Sequence, residues 1–102
     1  MEIHVSNSDA YSNKIIRKAI RVYGSVQGVG FRYRAKYAAD SFGVTGWVKN
    51  ELDGSVSMEL QGTEEQIDKV FISVSQGSYV SIERMDARTI PVDDSEYGFS
   101  YD

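Results

Sequence analysis

The stretch that most limits how this chain can fold is Tyr23-Gly24-Ser25-Val26-Gln27-Gly28-Val29-Gly30-Phe31-Arg32, because the hydrophobic period changes across it. Upstream, Lys14 to Tyr23 alternates. Ile16, Ile20 and Val22 share one face, interrupted by Lys18, while Arg17, Arg21 and Tyr23 fall on the other, which is expected to be solvated. Downstream, Phe31, Ala35, Ala38 or Ala39 and Phe42 recur at helical spacing. A strand therefore hands over to a helix through a loop with three glycines, Gly24, Gly28 and Gly30. Two readings stand on the loop alone. It is a tight connection, or its main-chain N–H groups converge with the unpaired donors of the helix N-terminus on a small anion such as phosphate. The spacing is that of neither a P-loop nor a dinucleotide fingerprint.

The rest of the chain supplies a single small domain. Gly43 is placed to stop the first helix, whose Tyr33 and Tyr37 are expected in core or rim packing. Val44 to Asn50 is β-branched and aromatic, a second strand. Asp53-Gly54 marks a turn, and Val56, Met58 and Leu60 alternate with Ser57, Glu59 and Gln61, so these two strands form an antiparallel hairpin. Thr63 and Gln66 have capping-box spacing ahead of a second helical stripe, Ile67, Val70, Phe71 and Val74, which ends by Gln76-Gly77. A fourth strand lies within Ile82 to Ile90, with Met85 and Ala87 pointing inward, and is stopped by Pro91. Tyr97 to Tyr101 makes a short final strand with Phe99 inward.

Two helices with one apolar stripe each must share one face of the sheet. With right-handed crossovers, the order βαββαβ gives an α+β ferredoxin-like sandwich with a mostly antiparallel sheet and a short extra C-terminal strand. That topology brings Asn50, at the end of the second strand, toward the sheet edge where the glycine loop opens.

Composition narrows the chemistry. Of 102 residues none is cysteine, so thiolate nucleophiles, thiolate metal sites and disulfides are out. The single histidine, His4, lies in a polar stretch, Met1 to Asn13, expected to be a flexible extension preceding a domain over 14–102. That stretch has neither the apolar core of a signal peptide nor a transit-peptide pattern, and no run is long enough to span a membrane. The expected location is the cytoplasm. A net charge of −4 argues against bulk electrostatic binding of nucleic acid. An RNA-recognition domain on this fold would carry aromatics on its central strands, and only Tyr23 answers to that.

Two segments together resemble a known family. Gly24-Ser25-Val26-Gln27-Gly28-Val29-Gly30-Phe31-Arg32, and Gly46-Trp47-Val48-Lys49-Asn50 followed by Gly54, Val56 and Gly62, look like both signatures of the acylphosphatases, a likeness extending over about Ile15 to Tyr101. The resemblance implies metal-independent hydrolysis of acyl phosphates to carboxylate and inorganic phosphate, with no cofactor. It implies that Arg32 holds the phosphate together with the backbone amides of Gln27, Gly28, Val29, Gly30, Phe31 and Arg32. It also implies that Asn50 positions the attacking water. The expected partner is a small-molecule acyl phosphate, with no nucleic acid and no membrane, and the expected state is a monomer. A phosphate-binding domain of the same family without turnover is the competing reading.

Overall fold

The computed structural model describes residues 13–101, so almost all of the polar extension expected over Met1 to Asn13 lies outside the described residues. Seven elements follow in order: β1 (Ile16–Ser25), α1 (Phe31–Phe42), β2 (Thr45–Asn50), β3 (Val56–Gly62), α2 (Glu64–Ser75), β4 (Ser81–Ile90) and β5 (Phe99–Tyr101). They form a five-stranded sheet in the order β4-β1-β3-β2-β5. Three neighbouring pairs are antiparallel, and β5 runs parallel to β2. The two helices pack against each other and over the β3 and β2 side of the sheet. This is the ferredoxin-like sandwich that the pattern of elements dictates, with the added strand at one edge.

The core sits between helices and sheet. Val22 and Ile20 from β1, Val48 from β2 and Val56, Met58 and Leu60 from β3 meet Phe31, Ala35, Ala38 and Ala39 of α1 and Ile67, Val70 and Val74 of α2. Small side chains on the inner stripe of α1 let that helix lie close to the strands, which fixes where its N-terminus falls relative to β2. Each buried Val, Leu, Ile or Phe contributes about 1.5–3 kcal/mol relative to exposure, so this cluster carries most of the stability.

Three expectations about side chains need correcting. Arg17 is not solvated: it is buried on the face of the sheet opposite the helices, donating to Glu59 at 2.9 Å, to Gln61 at 3.0 Å and through two nitrogens to Glu96 at 2.6 and 3.1 Å. The segment linking β4 to β5 brings Glu96 over it, and nothing local in β1 announces that. Met85 and Ala87 are exposed rather than inward. Their register partners are the buried Val22 and Ile20, so the phase is as expected, but the helices lie over β2 and β3 and leave most of β4 uncovered. Tyr33 and Tyr37 are both about two-thirds exposed on the outer face of α1 rather than packed.

Candidate active site

α1 begins without the usual protection. Its N-cap is Gly30, at φ 83°, so no side chain caps the helix, and its first turn holds no acidic residue. Gly28 also has positive φ, at 73°. These two left-handed positions turn the chain from β1 into α1 in a conformation that residues with a Cβ adopt only under strain. Among the described residues, no amide from Gln27 to Arg32 donates to a protein acceptor; the first bond of the helix is Arg34 N–H to the Gly30 carbonyl, at 2.9 Å. Of these residues, Gly28, Gly30, Phe31 and Arg32 border one concave surface.

That surface is a cavity of about 130 Å³. Val26 and Phe31, both fully buried, form its floor. Gly28, Gly30, Arg32, Tyr33, Asn50 and Tyr101 complete its lining, which contains no carboxylate. Arg32 is half-buried, and its guanidinium makes no hydrogen bond or ion pair among the described residues; its neighbour is the Tyr101 ring, 5.9 Å from guanidinium carbon to centroid. Asn50 reaches the same cavity from the last position of β2, opposite Val56 of β3. Its side-chain oxygen is buried and has no hydrogen-bond partner among the described residues. A buried acceptor left unpaired costs about 1–3 kcal/mol, which is tolerable where a ligand or water is to fill the position.

All the residues expected at the site are therefore on one side of the molecule. Gly28, Gly30, Phe31, Arg32 and Asn50 line the cavity, whereas Val29 packs against the core and neither it nor Gln27 is among the lining residues. Gln27 does more than expected: its side-chain Nε2 donates to the carbonyl of Glu51 at 2.7 Å and to that of Ser55 at 2.9 Å. Tyr101 was not singled out at all; it arrives because β5 pairs with β2 in parallel and so points its C-terminal end where Asn50 lies.

The turn that follows Asn50 is braced from within. Glu51 N–H donates to the Ser55 carbonyl at 2.8 Å, and Asp53 accepts from both the amide and the hydroxyl of Ser55, at 2.9 and 2.5 Å. Arg21 of β1 donates to the Ser55 hydroxyl and to Asp53, at 2.7 and 3.1 Å. The Ser55 hydroxyl, then its amide and Arg21, hold the Asp53 carboxyl down at about 2.

Comparison with known proteins bears on the family and the fold. The acylphosphatase family model matches residues 18–101. The chain belongs to the acylphosphatase family. It is 42% identical over 84 residues to an acylphosphatase of Clostridium acetobutylicum, covering 81% of this chain and 92% of that protein. Among solved structures, the acylphosphatase of Bacillus subtilis superposes with a TM-score of 0.77 at 31% identity, covering 84% of this chain and 97% of the other. An acylphosphatase from Coxiella burnetii gives a TM-score of 0.77 at 27% identity, covering 86% and 93%. Like those family members, this chain folds as two helices on a mixed five-stranded sheet.

A larger hollow, about 380 Å³, lies on the bare face of the sheet between Arg21, Tyr23, Trp47, Glu59, Asp86 and Arg88. Its lining has mixed charge, with Arg21 and Arg88 beside Glu59 and Asp86.

Proposed function

We propose that this acylphosphatase hydrolyses the carboxyl–phosphate anhydride of an acyl phosphate, with the phosphate held by Arg32 and the amides of Gln27 to Arg32 and the water aimed by Asn50. The observation carrying this reading is that the Arg32 guanidinium and the loop residues Gly28, Gly30, Phe31 and Arg32, whose amides are unpaired among the described residues, border one carboxylate-free cavity together with Asn50.

In this reading the phosphoryl oxygens sit in the loop. Charge spreads over the equatorial oxygens as the phosphoryl group transfers, and fixed donors stabilise it without having to reorient. Arg32 adds a planar, cationic pair of donors. The Asn50 side chain accepts a hydrogen bond from water and turns its lone pair toward phosphorus, opposite the acyl oxygen. The new P–O bond forms, the bond to the acyl oxygen breaks, and the departing carboxylate takes the electron pair. It is stable as an anion and requires no acid. The proton of the attacking water passes to a phosphate oxygen of the substrate, and no histidine or cysteine is called on. A cavity of about 130 Å³ suits the phosphoryl group, with the acyl portion outside beside Tyr33 and Tyr101.

Both halves of the site come from one chain, which supports action as a monomer on a small acyl phosphate. The proposed location is the cytoplasm, following the sequence expectation; no helix among the described residues is long and apolar enough to cross a membrane. Turnover of benzoyl phosphate by purified protein tests the proposal. Hydrolysis that continues at full rate in excess chelator is expected. Absence of turnover, or its complete loss on chelation, contradicts it.

A further inference from the structure

The two halves of the site come from segments that share no secondary-structure pairing: the loop before α1 and the turn after β2. Among the described residues, one side chain joins them by hydrogen bonds, and it is Gln27. Both acceptors are main-chain carbonyls, so the amide must present its NH₂ group to them and both of its hydrogens are used. The two carbonyls belong to Glu51, the residue directly after Asn50, and to Ser55, whose carbonyl also closes the turn by accepting from Glu51 N–H. The brace from Arg21 and Asp53 ties the same turn to β1 but makes no link to the glycine loop.

We infer that the Gln27 side chain is a positioning residue, setting the distance between the phosphate cradle and the Asn50 side chain. This rests on the roles of the cradle and Asn50 proposed above. Gln27 contributes a main-chain donor to the cradle and grips the Asn50 turn with its side chain, so one residue gauges the gap across which water must approach phosphorus. A misplacement of about 1 Å at such a gap costs roughly 10²-fold in rate. Phosphate binding depends on the loop amides and Arg32 and is not exposed to that error.

The test is a cycle of Gln27→Met, Asn50→Ala and the double variant, following benzoyl phosphate turnover and competitive inhibition by inorganic phosphate. Methionine keeps the length of the side chain and removes both donors. Gln27→Met is expected to lower kcat by roughly 10- to 10²-fold while the phosphate inhibition constant stays within about threefold. In the Asn50→Ala background the same change is expected to cost nothing further, because the residue it aims is gone. An unchanged kcat, an equal multiplicative loss in the Asn50→Ala background, or a phosphate inhibition constant raised in step with the lost kcat each overturns the inference. If Asn50→Ala alone keeps full kcat, the failure belongs to the proposed role of Asn50 instead. Gln27→Glu keeps the test open should the methionine variant fold poorly. A carboxylate repels the two carbonyls, but its protonated form donates to one. The rate deficit relative to wild type is therefore expected to shrink as pH falls through the carboxyl range. Arg32, Glu51 and Asp53 are present in both proteins and cancel in that ratio. A deficit independent of pH contradicts the inference.

Discussion

The two helices of this molecule begin in opposite ways. α2 starts from Thr63, whose hydroxyl accepts from Gln66 N–H at 3.2 Å while the Gln66 side chain accepts from Thr63 N–H at 2.8 Å, and Glu64 and Glu65 occupy its first turn. The amides of Thr63 and Gln66 are satisfied by side chains, and two acids face the positive end. α1 starts from a glycine with no side-chain cap and no acid, and the second residue of the helix is Arg32. One terminus is finished within the chain; the other is left open for something to complete. Two arginines repeat the contrast. Arg17 is saturated by Glu59, Gln61 and Glu96, whereas Arg32 has an aromatic ring and a cavity. The fold uses the first member of each pair for stability, and the second is proposed to serve catalysis.

If that division is right, changes at the open terminus should damage turnover and spare the fold, and changes at the closed one should do the reverse. Arg32→Lys should lower kcat/KM for an acyl phosphate by about 10³-fold, since a point charge does not replace the planar pair of donors. The midpoint of urea unfolding should move by no more than about 0.5 kcal/mol equivalent, because no folded-state hydrogen bond is lost. Arg17→Met should do the opposite. It strands Glu59 and Glu96 together and should cost about 3 kcal/mol of stability by urea unfolding, with kcat nearly unchanged while the protein stays folded. Asn50→Ala should lower kcat by roughly 10²-fold and leave inhibition by phosphate intact, and its stability should not fall, because an unpaired buried oxygen is removed. Thr63→Ala should cost about 1 kcal/mol in thermal or urea unfolding and nothing in kcat.

The smallest effect concerns pH. The Asp53 carboxyl is held at about 2, chiefly by the Ser55 hydroxyl, so its contribution to the fold is complete above the usual carboxylate range and is lost as pH falls toward that value. Stability should be flat in this respect from neutral pH down to about 5 and then decline. Acid titration of Asp53→Asn should show a shallower decline than wild type, which would locate part of the acid sensitivity in the turn beside Asn50.

Local pattern reveals some of these features and hides others. The change from period two to helical spacing places the glycine loop, Asp53-Gly54 places the hairpin turn and Thr63-x-x-Gln66 places the start of α2, because each is decided by neighbours a few residues apart. Both halves of the site are readable for the same reason: each motif is continuous in the chain. Features set by distant partners are not. Arg17 is buried by Glu96, 79 residues away, and β1 alone presents it as one more basic residue on an outer face. Met85 alternates as a buried residue should, yet its exposure depends on where the helices end, and that is decided by the packing of α1 on α2. Tyr101 joins the cavity only because β5 pairs with β2 in parallel, and a three-residue strand carries no signal of its partner. The grip of Gln27 on the hairpin turn depends on how the loop and turn approach, so its side chain is unremarkable in sequence.

The open start of α1 and Arg32 are proposed to receive a phosphate together. Titrating inorganic phosphate into ¹⁵N-labelled protein, with amide and arginine Nε resonances followed at each step, tests it most directly. Saturable shifts are expected, confined to the amides of Gln27 to Arg32, the Arg32 Nε–H and the Asn50 side chain, with no response at Glu64 to Gln66. Those shifts should vanish in Arg32→Ala while the remaining spectrum is preserved. Saturable shifts centred on the bare sheet face around Tyr23 and Trp47, or turnover of acyl phosphate with no phosphate-dependent change in the loop, would contradict it.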